Sequence, residues 1–145
     1  MKKVEPDAAS LRGYVPGAWD MFHIGHLNIL RRARQHCGYL IVGAVSDQTL
    51  FDMKGKYPIV PLEERMEILG SIGIVDEVVP DYSVNKLDVW ERTKFDVLFK
   101  GDDWRGTAKG HKLEADMASV GVEVHYFPYT PQTSSSELRR VLAAY

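Results

Sequence analysis

The chain has 145 residues, of which 45% are hydrophobic and 26% charged, a composition typical of one globular domain with a buried core. Its 20 acidic and 18 basic residues give a formal charge of −2, which argues against a general affinity for nucleic acids or anionic membranes. The single cysteine, Cys37, excludes an internal disulfide framework, and no apolar run is long enough for a membrane span or a signal peptide. These features predict a cytoplasmic protein with a frayed polar tail over residues 1–10 and one domain over residues 11–145.

Short apolar runs alternate with longer amphipathic stretches along the chain. Strands are predicted at residues 11–15, 39–45, 75–79, 95–99 and 122–126. Helices are predicted from His26 to a stop at Gly38, and at residues 61–69, 84–93, 109–119 and 134–143. Strands separated by helices of this length form parallel sheets with right-handed crossovers. The sequence therefore predicts a Rossmann-like three-layer α/β/α fold with a five-stranded parallel sheet, whose ligands gather at the carboxyl ends of the strands.

The loop after the first strand contains the sequence His23-Ile24-Gly25-His26. Two histidines three residues apart at a helix start place both imidazoles on about the same side of one turn. The helix start adds unpaired N–H groups and a partial positive charge, and Gly25 lets another group approach the backbone closely. The loop is therefore a candidate phosphate site, in which imidazole N–H groups stabilise charge on a departing phosphate. Buried capping histidines or a metal pair are the alternatives, and the metal reading lacks a third nearby ligand.

Together with Gly17-Ala18-Trp19-Asp20, this segment resembles the HxGH signature of the nucleotidyltransferase superfamily. Three further segments resemble its cytidylyltransferase branch, and glycerol-3-phosphate cytidylyltransferases in particular. They are Gly101-Asp102-Asp103-Trp104, the lysine loop Lys54-Gly55-Lys56 with the helix and strand that follow it, and residues 130–138, which lie where that family has the RTxGIST(T/S) motif. The resemblance runs from about the first strand to the last helix and so covers nearly the whole chain.

The resemblance implies that an alcohol phosphate attacks the α-phosphate of a nucleoside triphosphate in line, and that pyrophosphate leaves without a covalent enzyme intermediate. The positions that it implies for catalysis are His23, His26, Lys54, Lys56 and Ser134. The positions that it implies for binding substrate or nucleotide are Gly17, Ala18, Trp19, Asp20, Asp47, Arg65, Gly101, Asp102, Asp103, Trp104, Tyr129, Thr130 and Ser135. It also implies magnesium, bound mostly through substrate phosphates with Asp20 considered as a water-mediated contact, and a homodimer.

Several of these residues also have purely structural interpretations. A lysine pair such as Lys54 and Lys56 is usually solvated surface. Arg65 can form a surface ion pair with a glutamate of its own helix, and Asp47 can cap a turn after the second strand. Trp104, taken alone, is typical of core or rim.

The last motif has a structural interpretation too, because Ser134 and Glu137 have the spacing of a capping box. It also departs from the family pattern, since Tyr129 stands where relatives have an arginine that contacts nucleotide phosphate. Arg139 or Arg140 is the candidate replacement for that missing charge. A lost charge-assisted contact weakens binding by about 1.5–3 kcal/mol when nothing compensates for it.

The resemblance implies an enzyme that transfers CMP from CTP to a small phosphorylated alcohol, with glycerol 3-phosphate as the leading acceptor. Phosphoethanolamine, phosphocholine or a phosphonate are alternative acceptors, because the shared motifs do not determine that choice. An ATP-dependent adenylyltransferase of the same superfamily is the alternative enzyme. A nucleotide-binding module without catalysis is the third hypothesis, and it is motivated by Tyr129 and by Gln132, which replaces a glycine of the last motif.

Overall fold

The computed structural model describes residues 7–128 and 134–145. Five parallel strands form one sheet in the order β3-β2-β1-β4-β5. The strands are β1 Arg12–Gly17, β2 Tyr39–Val45, β3 Glu77–Asp81, β4 Val97–Gly101 and β5 Glu123–Phe127. The helices are α1 Ile24–Arg34, α2 Asp47–Lys54, α3 Leu62–Gly70, α4 Lys86–Thr93, α5 Ala108–Ala118 and α6 Ser135–Ala143.

Two apolar clusters cover the two faces of the sheet. On one face Val15 and Phe99 pack against helices α1 and α3, which contribute Leu30 and Leu69. On the other face the second cluster brings strand residues such as Leu98 against helices α4 and α5. Successive residues of a strand point to opposite faces, so the apolar runs in the sequence feed both clusters. The predicted three-layer α/β/α fold with a five-stranded parallel sheet is confirmed.

The strand order reverses direction between β1 and β4, which lie side by side at the centre of the sheet. They pair at Gly13–Val97 and Tyr14–Leu98, whereas β1 stays paired with β2 as far as Gly17. In open parallel sheets, ligands bind in the crevice outside the strand ends at such a switch point. The loops that follow β1 and β4 are therefore placed to form a binding site.

Strands β3 and β4 begin two residues later than the sequence predicts. The carboxylate of Asp76 accepts a hydrogen bond from the Leu40 N–H, and that of Asp96 accepts one from the Arg12 N–H, each at 2.8 Å. Each aspartate thus lies just before its strand and bonds to the start of the neighbouring one. The buried Phe95 belongs to the core, but it precedes the ladder.

Helix α2 was not predicted from the sequence, which instead suggests a loop leading to the lysines. Ser46 caps this helix by accepting a hydrogen bond from the Thr49 N–H at 3.2 Å. Gly55 follows its end with a φ of 73°, the left-handed conformation that terminates many helices. A serine cap and a glycine stop were both visible in the sequence, and together they mark a helix. Asp47 is therefore the first residue of α2, and Ser46 rather than Asp47 provides the cap after the second strand.

Residues 7–10, which the sequence predicts as part of a frayed tail, form a capped turn. Ala8–Ser10 form a 3₁₀ turn that is capped by the carboxylate of Asp7. The turn packs on Gly38, where a Cβ atom would lie 1.8 Å from the Ala9 carbonyl oxygen. Within residues 7–128 and 134–145, no helix is long and apolar enough to cross a membrane.

Candidate active site

The two motif histidines stack on each other at the start of α1. Their ring centroids lie 3.8 Å apart, and the ring planes differ by 25°. His23 Nδ1 accepts a hydrogen bond from the Gly25 N–H at 3.1 Å, and His26 Nδ1 accepts one from the His23 N–H at 3.3 Å. These bonds form a reciprocal cap, so the helix begins at Ile24 rather than at His26 as predicted. Because both Nδ1 atoms act as acceptors, the neutral rings carry their protons on Nε2 and can donate from there.

The environment keeps both imidazoles neutral near pH 7. Burial lowers the pKa of His23 from its ordinary value. Burial and the neighbouring His23 lower the pKa of His26 to about 4, although the Asp20 carboxylate acts in the opposite direction. Neutral imidazoles serve here as hydrogen-bond donors, which suits stabilisation of phosphate charge without a proton transfer.

The backbone before the histidines is held in an unusual conformation. Trp19 and Met21 have φ angles of 57° and 49°, in the left-handed region that residues other than glycine seldom adopt. The Trp19 indole is buried, and its N–H donates to the Gly43 carbonyl at 2.9 Å. Its ring packs edge-on against the His26 ring, with 5.4 Å between the ring centroids. Trp19, predicted to bind nucleotide, therefore holds His26 in position from the core.

A cavity of about 460 Å³ opens at the carboxyl ends of β1, β4 and β5. The predicted site residues that it brings together are Gly17, Ala18, Trp19, His23, His26, Lys54, Gly101, Asp102, Asp103, Ser134 and Ser135. Residues from four separate segments of the chain thus meet in one pocket. The size of this cavity is in the range of small-molecule sites.

Helix α6 contributes its first residues to the pocket lining. Ser134 caps this helix by accepting a hydrogen bond from the Glu137 N–H at 3.0 Å, as the capping interpretation predicts. The Ser135 hydroxyl donates to the Asp20 carbonyl at 2.6 Å and lies 3.4 Å from His23 Nε2. The N-terminus of α6 and the N-terminus of α1 therefore face one pocket, each with unpaired backbone N–H groups.

Asp20 holds three segments of the chain together. Its carboxylate accepts the backbone N–H groups of Ile59 and Val60, each at 2.9 Å, and forms an ion pair with Arg139. Burial alone would raise the pKa of Asp20, but the two backbone bonds and the Arg139 guanidinium lower it below the ordinary value. These bonds use three of the roughly four acceptor positions of the carboxylate, and the water-mediated contact between Asp20 and magnesium stays a prediction.

Arg65 does not reach the pocket, contrary to its predicted phosphate contact. Its side chain is fully buried and donates to the carbonyl oxygens of Ala18, Val45 and Val60 at 2.6–2.8 Å. It also pairs with Asp47, whose carboxylate oxygen lies 2.5 Å away. The alternative of a surface ion pair is also wrong, since a buried guanidinium bonded to three carbonyls braces the loops behind the pocket. Asp47 acts as its partner and lies outside the cavity lining.

The two lysines of the lysine loop differ in position. Lys54 is the last residue of α2 and lines the main cavity, whereas Lys56 lines only a second cavity of about 420 Å³ beside it. Of the two arginines considered as replacements for the missing charge, Arg139 is paired with Asp20. Arg140 lines the second cavity and lies 3.5 Å from the Glu137 carboxylate.

The segment after β4 forms the far end of the cavity. Asp102–Trp104 make a 3₁₀ turn, in which the two aspartates line the pocket and Trp104 packs against the α4/α5 cluster. Trp104 therefore supports the loop from behind. Tyr129 and Thr130, the two remaining predicted binding residues, lie outside the described residues, as does Gln132.

Further cavity residues carry no motif signal and were missed in the sequence. Asn28, Ile29 and Arg32 line the pocket from α1, two, three and six residues after His26. Lys100 lines it from the end of β4. Helical spacing from Gly25, which also lines the pocket, would have found the α1 residues at i+3, i+4 and i+7, and the position of Lys100 next to Gly101 would have suggested the fourth.

Relatives with recorded activities resemble this chain over most of its length. A family model described as cytidylyltransferase-like matches residues 14–141. A glycerol-3-phosphate cytidylyltransferase from Bacillus spizizenii is 32% identical over 130 residues, which are 88% of this chain and 94% of the relative. An FAD synthase from Pyrococcus horikoshii is 32% identical over 133 residues, 91% of this chain and 90% of the relative.

An ethanolamine-phosphate cytidylyltransferase from Arabidopsis thaliana is 38% identical over 98 residues, 64% of this chain, and this match spans only 23% of that longer protein. Among solved structures, a lipopolysaccharide core biosynthesis protein from Thermoplasma volcanium superposes on this chain with a TM-score of 0.71. The superposition covers 85% of this chain and 98% of the other, and at 20% identity it shows similarity of fold alone. With the family model matched over 128 residues and the motif histidines in the pocket, the chain belongs to the cytidylyltransferase-like family and is a nucleotidyltransferase.

Proposed function

We propose that the protein transfers CMP from CTP to a small phosphorylated alcohol, with glycerol 3-phosphate as the first candidate, and releases pyrophosphate. The observation that carries this proposal is the stacked pair of neutral imidazoles, which faces one cavity together with the N-termini of α1 and α6 and with Lys54. A triphosphate needs several fixed donors and positive charge around it, and this arrangement supplies both.

The protein's own groups act by positioning and by stabilising charge. The Nε2–H groups of His23 and His26 donate to phosphate oxygens as the bond between the α-phosphorus and the leaving oxygen breaks. The backbone N–H groups at the start of α6 bind the departing pyrophosphate. Lys54, which lines both cavities together with Ser135 and Ser136, neutralises charge on the phosphates. No proton transfer is needed, because the attacking phosphate oxygen is already ionised.

Magnesium fits this site through the substrate rather than through a protein cage. Within the described part of the chain, no three histidine, cysteine or carboxylate side chains are grouped to hold a metal ion. A triphosphate offers its own oxygens to Mg²⁺, which commonly binds in this way with few protein ligands. Bound magnesium would supply additional charge neutralisation on the leaving phosphates.

The nucleoside is proposed to lie between α1 and the turn after β4. Val15, Ile29 and Phe127 give that end of the cavity an apolar wall, and Gly101 brings backbone polar groups next to it. An apolar wall with a few fixed polar groups is typical of a nucleobase site. The resemblance of Gly101-Asp102-Asp103-Trp104 to the cytidylyltransferase segment favours cytosine over adenine.

Pyrophosphate release in the presence of CTP, Mg²⁺ and a panel of phosphorylated alcohols tests the proposal. The panel contains glycerol 3-phosphate, phosphoethanolamine, phosphocholine and a phosphonate, and the highest kcat/KM identifies the acceptor. His26→Gln should lower turnover about a hundredfold, because a fixed transition-state donor is lost while glutamine can still cap the helix. His111→Gln, at an exposed position of α5, is the matched control and should keep full turnover. Unchanged turnover in the His26 variant would remove the imidazole from the mechanism.

The second candidate is an ATP-dependent adenylyltransferase, favoured by the 32% identity to an FAD synthase over 91% of the chain. Thermal unfolding separates the two candidates, because a ligand stabilises the folded form that binds it. CTP should raise the melting temperature and ATP should leave it unchanged. The reverse result would replace the cytidylyl assignment with the adenylyl one.

A nucleotide-binding module without catalysis is the third candidate, and the pyrophosphate assay excludes it if CTP turns over. His23, His26 and Lys54 line the same pocket. This arrangement argues against a module that only binds nucleotide, because nucleotide binding alone does not require all three side chains. Dimer formation stays a prediction, which sedimentation would test.

A further inference from the structure

Lys100 lies in the active-site cavity on the side of the sheet away from the histidines. In β4, Leu98 packs into the cluster of α4 and α5, whereas Phe99 packs into the cluster of α1 and α3. Strand side chains alternate between faces, so Lys100 continues the Leu98 face. Its Nζ stands 3.9 Å from the centroid of the Trp104 ring, on which the side chain rests.

The Lys100 ammonium has few compensating partners. Within residues 7–128 and 134–145 it makes the aromatic contact with Trp104 but no hydrogen bond or ion pair. Burial lowers the pKa of Lys100. The Asp103 carboxylate raises this pKa, and nearby lysines, including Lys54, lower it further. Two ammonium groups that share one cavity repel each other, and an anion between them would relieve the repulsion.

The geometry of the reaction assigns a substrate to this side of the cavity. Phosphoryl transfer of this kind proceeds with the attacking and leaving oxygens roughly in line on opposite sides of the phosphorus. The leaving pyrophosphate is proposed to lie at the α1 and α6 N-termini, next to His23 and Ser135. The attacking phosphate must therefore approach from the opposite side, where Lys100 is placed at the end of β4.

We propose that Lys100 holds the phosphate group of the acceptor, with Lys54 as the second positive charge of the same cavity, an inference that rests on the proposed function. A phosphate oxygen of the acceptor forms the new bond to the α-phosphorus. The bond from the α-phosphorus to the bridging oxygen breaks, and pyrophosphate leaves with its electron pair. Lys100 then selects acceptors that carry a phosphate or phosphonate, while the groups around Gly101 select the base.

Steady-state kinetics of Lys100→Met and Lys100→Arg test this assignment. Lys100→Met should raise the KM for glycerol 3-phosphate about tenfold or more, the usual size of one lost charged hydrogen bond, with the KM for CTP changed less than about twofold. Lys100→Arg, which keeps the charge, should restore most of the acceptor affinity. Lys109→Met is the matched control, since Lys109 lies 5.7 Å from the same Trp104 ring but outside the cavity lining.

Two kinetic results would overturn the assignment. One is an equal rise of both KM values in Lys100→Met, which would place Lys100 at the nucleotide. The other is an equal effect of Lys109→Met, which would mean that general charge or the support of Trp104 is responsible.

A binding measurement separates failure of this inference from failure of the proposed function. Glycerol 3-phosphate and inorganic phosphate should each raise the melting temperature of the parent protein and of Lys109→Met, but not that of Lys100→Met. If the parent protein does not turn over CTP, the proposed function fails, and this comparison still decides whether Lys100 binds the anion. Equal stabilisation of all three proteins would refute a phosphate site at Lys100.

Discussion

Acidification should lower the free energy of unfolding of the protein through protonation of His26, whose pKa is lowered in the folded state. The unfolded chain binds a proton at this imidazole below its ordinary pKa of 6.5, whereas the folded protein does not do so until about 4. The unfolded state therefore binds more protons between these values, so the stabilisation is complete above pH about 6.5 and is lost as the pH falls towards 4. Relative to neutral pH, the free energy of unfolding is lower by about 2 kcal/mol at pH 5 and by about 3 kcal/mol at pH 4.

Urea unfolding of the parent protein and of His26→Gln between about pH 7.5 and pH 4.5 measures this contribution. Glutamine is a favoured residue at this position of a capping box, so the variant loses the titrating group but keeps the cap. The free energy of unfolding should fall less steeply with pH in the variant, by about 2 kcal/mol over the range down to pH 5. Other histidines with lowered pKa, such as His23 and His125, contribute to both curves and cancel in the comparison. Parallel curves for the two proteins would refute a neutral, desolvated His26.

Two further predictions concern stability and are measured by the midpoint of urea unfolding. Gly43→Ala should lower the free energy of unfolding by about 2–3 kcal/mol, because the new Cβ would lie 1.8 Å from the buried Tyr14 hydroxyl. Gly73→Ala is its control and should lower it by less than about 0.5 kcal/mol, because no atom lies within 4 Å of a Cβ there. Arg65→Met should cost about 3–5 kcal/mol by leaving a carboxylate and three carbonyls without their donor, and the exposed Arg31→Met serves as its control. A loss below about 1 kcal/mol in either test variant would contradict the packing or the hydrogen bonds described here.

Much of the site was predictable because several of its residues belong to short sequence motifs. His23 and His26 define a helix start by their spacing, and the apolar alternation around them defines the strand before and the helix after. These signals depend on neighbours in sequence, so they survive without knowledge of the fold. Ser134 was predictable for the same reason, since its capping role depends only on the residues that follow it.

The residues that were assigned wrongly or missed are those whose position depends on distant segments. Arg65 resembles a phosphate ligand in the sequence, but carbonyls from three separate segments of the chain surround it in the fold. Lys100 carries no motif, and it reaches the cavity because β4 ends beside β1. Long-range hydrogen bonds and strand order are properties of the whole chain, so no window of sequence reveals them.

The bonds of Asp20 connect the last helix to the rest of the pocket. Its carboxylate pairs with Arg139 and its carbonyl accepts the Ser135 hydroxyl, while the same carboxylate binds the N–H groups of Ile59 and Val60. Helix α6 contributes no strand to the sheet, so release of these contacts would withdraw Ser134 and Ser135 from the pocket while the five strands stay paired. Activity can therefore be lost through local undocking of one helix, well before the fold itself is lost.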